Sequence, residues 1–103
     1  MLNGMRRDEA LAILKAHRDE VKTRFGVQSL YLFGSTARDQ ADDVSDVDIL
    51  VEFAPEACSG LFELYDLKIH LETLLGREVD VLTPDGLRWW MREDILKEAV
   101  YAA

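Results

Sequence analysis

Ser45-Asp46-Val47-Asp48-Ile49-Leu50-Val51-Glu52-Phe53 is the stretch from which the rest of the chain can be read. Val47, Ile49, Val51 and Phe53 alternate with Asp46, Asp48, Leu50 and Glu52, a period of two that defines a β-strand. Successive side chains of a strand leave on opposite faces. The apolar set therefore points to one side, where a core can form, and Asp46 and Asp48 point together to the other. Downstream, Glu78–Leu82 repeats this parity, with Val79 and Val81 on one face and Asp80 on the opposite one. If the two strands pair, three carboxylates converge on one side of a sheet. Such a cluster repels itself and is costly unless a cation neutralises it. Carboxylate oxygens together with substrate phosphates are the ligands that Mg²⁺ prefers.

Upstream, the short apolar run Ser29–Phe33 reads as a buried strand ending at Gly34-Ser35. A glycine at a strand end lets the backbone approach a ligand closely. A serine opening a short helix can offer its hydroxyl and nearby N–H groups to a phosphate, or serve only as a helix N-cap. The polar stretch Thr36 to Ser45 follows; its first turn can be helical, and Asp42-Asp43 reads as a solvated loop.

Helical periodicity surrounds these strands. Leu11, Leu14, Val21 and Phe25 predict a helix from about Asp8 to Phe25, favoured at its start by Asp8 and Glu9 and stopped by Gly26. Leu61, Leu64, Leu67, Leu71 and Leu75 predict a second, ended by Gly76. After a turn at Thr83–Gly86, a last helix is expected over Leu87 to Ala102, with Ile95, Leu96, Ala99 and Val100 as its apolar stripe and Trp89 and Trp90 ahead of it as packing residues. The order predicts an α/β (α+β) fold with a small mixed sheet flanked by helices. The connection between the first two strands is too short to assure a parallel crossover.

The length of 103 residues fits one domain, 1–103, with little left over for a separate substrate domain. Apolar residues at 49% and charged residues at 31% indicate a globular chain. No apolar run approaches the length needed to span a bilayer, and the N-terminus lacks a secretory signal, so a cytoplasmic protein is expected. Acidic residues outnumber basic ones 20 to 12, which argues against direct nucleic-acid binding. An acidic chain still accepts a nucleotide where a metal bridges the two. Cys58, the single cysteine, offers neither a disulfide nor a thiol pair for metal, and His17 and His70 have no second ligand at the helical i+4 position.

Gly34-Ser35, ten residues, then Asp46-Val47-Asp48 resembles the signature of the DNA polymerase β nucleotidyltransferase superfamily. Leu32–Arg38, Ser45–Val51 and Glu78–Leu82 are similar to the surrounding family segments, and Arg92–Ala99 resembles the end of the MNT-type minimal nucleotidyltransferases, the antitoxin halves of HEPN/MNT toxin–antitoxin pairs. The resemblance covers nearly the whole chain. It implies that Gly34 and Ser35 hold a triphosphate, that Asp46 and Asp48 bind Mg²⁺, and that Asp80 binds a second Mg²⁺ and helps deprotonate the incoming hydroxyl. It further implies that AMP passes from ATP to a tyrosine of a HEPN ribonuclease toxin, silencing it. Arg38 reads equally as a triphosphate ligand or as a surface ion-pair residue. Two rival functions stay open: an antitoxin that only covers its toxin, and a nucleotidyltransferase for small molecules of the antibiotic type.

Overall fold

The computed structural model describes residues 5–41, 46–55, 60–86 and 89–103. The expected loop positions Asp42, Asp43 and Cys58 and the expected helix start at Leu87 lie outside the described residues. Helices α1 (Arg7–Ala16) and α2 (Arg18–Phe25) lead into β1 (Val27–Phe33) and the single-turn α3 (Gly34–Ala37). Then follow β2 (Val47–Phe53), α4 (Leu61–Leu75), β3 (Val79–Leu82), α5 (Trp89–Glu98) and β4 (Val100–Tyr101), with a 3-10 turn at Pro84–Gly86.

The sheet has the order β3-β2-β1-β4 and is mixed, as the element order predicts. β1 and β2 run antiparallel, with Leu30 opposite Val51 and Leu32 opposite Ile49. β2 and β3 run parallel, with α4 as the crossover between them and Ile49 opposite Val81. One face of the sheet carries Leu30, Leu32, Val47, Ile49, Val51, Val79 and Val81, buried against Ala10 and Leu14 of α1, Val21 of α2, and Leu67, Leu71 and Leu75 of α4. On the other face Phe33 and Leu50 form a smaller apolar cluster with Tyr31, Leu82, Ile95 and Ala99, so α5 covers part of that side. The parity of β2 thus assigns its residues to faces as the alternation requires.

Four local readings are corrected. The first helix is two, broken at His17, whose φ of −109° and ψ of 15° leave the helical region. The His17 N–H is shared between the Ile13 and Leu14 carbonyls, and the His17 carbonyl still accepts from Val21 N–H. The break therefore keeps the spacing of Leu14 and Val21 on one face, which is why periodicity does not show it. Second, the last helix stops at Glu98, and Val100–Tyr101 instead form β4, paired antiparallel with Tyr31 and Leu32. The backbone of Leu30 extends this edge by bonding Ala102 and Ala103. Free N–H and C=O groups along β1 reward an extended partner more than another helical turn would reward Val100 and Tyr101, whose side-chain types suit strands. Third, Leu61 is 84% exposed and lies off the buried stripe of α4, although Leu67, Leu71 and Leu75 occupy it. Fourth, Leu96 and Trp90 are both exposed, Trp90 at 56%.

Gly26 and Gly76, both left-handed, end α2 and α4 as expected. At the other end of α4 the Gly60 N–H donates to Glu63 Oε2 at 3.0 Å, half of a capping box that a glycine has no side chain to complete. No helix among the described residues is long and apolar enough to cross a membrane.

Candidate active site

The site grows from the second face of the sheet. Parallel pairing of β2 with β3 sets Asp48 and Asp80 as direct neighbours across the ladder. Neighbouring strands lie about 4.8 Å apart, so two same-face carboxylates are held within reach of each other by backbone register alone. Asp46 stands exposed one residue ahead of β2. On the other side of β2, Phe33 is the partner of Asp48, and Gly34 follows Phe33 directly. That succession brings Gly34 against the Asp48 side chain. A Cβ on Gly34 would collide with Asp48 Oδ2 and stand 3.0 Å from its Cγ. The Gly34 φ of +73° is itself a conformation that side chains rarely adopt. Both facts make glycine the residue that fits here.

Asp48 is half-buried, and its pKa is pushed up to about 6 by burial first, then by the Asp80 carboxylate and then by Asp46. Arg38 offsets part of this rise, and Glu98 adds to it. The three aspartates thus share one electrostatic field. Among the described residues they do not form a closed cage of three or more metal-ligating side chains. Mg²⁺ rarely uses such a cage; it takes one or two carboxylates and completes its octahedron with water and substrate phosphate oxygens. Two hard oxygen donors in register and mutually repelling, one of them seated in the space that glycine leaves at position 34, fit that ion.

Ser35 lies inside α3, because the N-cap position belongs to Phe33. The reading of Ser35 as an N-cap is therefore corrected. Its carbonyl accepts from the Gln40 N–H at 2.8 Å. Arg38, just past α3, donates from Nη1 to Glu98 Oε2 at 2.9 Å and from Nε to Gln40 Oε1 at 3.1 Å. The ion-pair reading of Arg38 is what the structure displays. Asp39 follows in the left-handed region at φ 57°, which aspartate tolerates better than most residues. Its Oδ1 accepts from the Arg7 N–H at 2.7 Å, tying the exit of α3 to the start of α1.

Glu98 is the site residue that the sequence does not announce. Its Oε1 accepts from the Gly34 N–H at 3.1 Å while its Oε2 takes Arg38, so the last residue of α5 clasps both ends of α3. A glutamate at a helix end some sixty positions from its partners leaves no local pattern to read.

A register-locked pair of aspartates beside a strand–glycine–helix turn, on a small mixed sheet, defines the nucleotidyltransferase class. The nucleotidyltransferase domain family matches residues 14–102, and the chain belongs to that family. It is 40% identical over 94 residues to the protein adenylyltransferase MntA of Thermococcus cleftensis, covering 91% of this chain and 93% of the relative. A solved minimal nucleotidyltransferase structure superposes with a TM-score of 0.70 at 39% identity, covering 87% of this chain and 93% of that one. A Shewanella oneidensis structure, an MNT antitoxin in complex with a tri-AMPylated HEPN toxin, superposes with a TM-score of 0.63 at 20% identity, over 94% of this chain and 71% of that one. At that identity the last likeness speaks for the fold alone.

Proposed function

We propose that this chain transfers AMP from ATP to a hydroxyl, a tyrosine of a HEPN-type toxin, and thereby acts as its antitoxin. The observation that carries the reading is the pairing of Asp48 with Asp80 immediately beside Gly34. Support for a protein acceptor comes from the similarity to a protein adenylyltransferase. A reaction that consumes ATP suits the cytoplasm.

Asp46, Asp48 and Asp80 would hold Mg²⁺, two ions in the reading favoured here. Bound there, the metal would neutralise charge on the phosphate oxygens and on the attacking and leaving oxygens of an in-line displacement. The chain's own groups do the rest. The strand end at Gly34 would let the backbone approach the triphosphate and offer it the N–H that Glu98 holds here, with Ser35 and Arg38 next in line. Asp80 takes the proton of the acceptor hydroxyl. A new bond forms between that oxygen and the α-phosphorus, the bond from the α-phosphorus to the bridging oxygen breaks, and pyrophosphate leaves with the electron pair.

Neutralisation of the cognate toxin in cells tests the reading against simple covering. Asp48→Asn is expected to fold, to bind the toxin and to leave it active. An Asp48→Asn protein that neutralises as well as wild type would make the chain a binding antitoxin and end the enzymatic account.

A further inference from the structure

We infer that Glu98 is a resident stand-in for phosphate: its carboxylate occupies the Gly34 N–H and the Arg38 guanidinium, and it must leave before a triphosphate can seat. The inference rests on the reading that Gly34 and Arg38 receive the triphosphate.

The geometry is that of an anion site already filled. One Glu98 oxygen accepts from a backbone N–H at 3.1 Å, and the other from a guanidinium nitrogen at 2.9 Å. A backbone N–H and an arginine fork are the donors that phosphate oxygens also take. Two further observations show that this carboxylate sits where its charge is otherwise unwelcome. Glu98 is the last residue of α5, at the negative end of the helix dipole. It also lies within the field of Asp48, which Asp46 and Asp80 already load with negative charge. Gly34 and Arg38 therefore hold it against local repulsion.

Its release is easy by contrast. The Glu98 side chain is about a third exposed and the Arg38 side chain nearly half exposed, so the pair is of the weak, solvent-screened kind. α5 stays anchored without it, because Ile95 and Ala99 pack on the Phe33–Leu50 cluster and β4, which follows directly, pairs with β1. A swing of one side chain into solvent frees both donors. A triphosphate arriving while Glu98 remains would meet a fourth carboxylate. Glu98 thus sets nucleotide affinity by limiting the fraction of molecules ready to bind, and apparent affinity falls by that fraction.

Calorimetric titration of the full chain with magnesium tripolyphosphate tests this directly. Glu98→Ala is expected to bind about three- to tenfold more tightly than wild type, the gain from making every molecule competent. Glu98→Gln keeps the side chain's size and a hydrogen bond to Gly34 but loses the charge, so it is expected to tighten binding by a smaller factor; it also serves if the alanine variant folds poorly. In wild type, the Gly34 amide resonance should move on titration toward a new position, and in Glu98→Ala it should move at lower ligand concentration. A role limited to bracing α3 predicts the opposite, weaker binding in both variants. Equal or weaker binding in Glu98→Gln, or no detectable binding in any form, overturns the inference. AMP transfer to the toxin is read separately. Transfer by wild type without tighter binding in the variants sinks only the stand-in role, and tighter binding without transfer sinks only the enzymatic reading.

Discussion

The two faces of one strand differ more than any two helices of this protein. On β2, Val47, Ile49 and Val51 enter a dry core and are almost wholly removed from water, while Asp48, one position away, shares the opposite face with Asp80. The first face is stabilised by burial, at roughly 25 cal/mol per Å² of apolar surface. The second is held in an unfavourable electrostatic state, with an Asp48 carboxyl that prefers its proton up to about pH 6. The apolar face holds the acidic one in place, so the strain of clustered charge is available for a cation to relieve. Substitutions on the two faces should therefore change stability in opposite directions.

The largest expected effect is on the core face. Ile49→Ala leaves a cavity between its cross-strand neighbours Leu32 and Val81 and should cost about 2–5 kcal/mol in urea unfolding. Next comes the boundary between the faces. Gly34→Ala adds a left-handed Cβ that collides with Asp48 and should cost about 1–3 kcal/mol. Removing the obstructing carboxylate in Gly34→Ala/Asp48→Gly should recover part of that loss, a coupling that a double-mutant cycle measures.

On the acidic face the sign reverses. The folded-state pKa of Asp48 lies above its ordinary value of 3.8, so the folded protein binds the extra proton between about pH 4 and 6. By linkage, stability from this group is intact below pH 4, falls as pH rises through 6 and then levels off. Asp48→Asn should remove that fall and make the metal-free protein more stable than wild type at pH 8. Solvent screening of a half-buried group limits the gain to about 1 kcal/mol. Thermal melts at pH 4 and pH 8 check it, and added Mg²⁺ should raise the melting temperature of wild type but not of the variant. The smallest effect is expected far from both faces: Leu61→Ser, at an exposed position, should stay within about 0.5 kcal/mol of wild type in the same unfolding assay.

What the sequence discloses follows the same division. Strict alternation around Asp48 and Asp80 is a local signal, and it yields the strands, their faces and the aspartate pair. Gly34 is legible as a strand-end glycine, though its contact with Asp48 needs the register of β1 on β2. β4 is hidden because Ile95, Ala99 and Val100 continue a helical spacing while the open edge of β1, remote in sequence, decides the outcome. The break at His17 is hidden because it preserves the apolar face. Asp39 and Glu98 are hidden for a third reason. Each works through one or two hydrogen bonds to a distant element, and a polar residue in a polar segment carries no periodicity.

Intact mass spectrometry of the cognate HEPN-type partner, after incubation with this protein, ATP and Mg²⁺, tests the central claim most directly. One or more added AMP groups are expected on the partner with wild type, and none with Asp48→Asn or with a chelator present. An unchanged partner mass with the complex formed and each of the four nucleotides supplied would contradict it, and the acidic face would then be a site that performs no transfer.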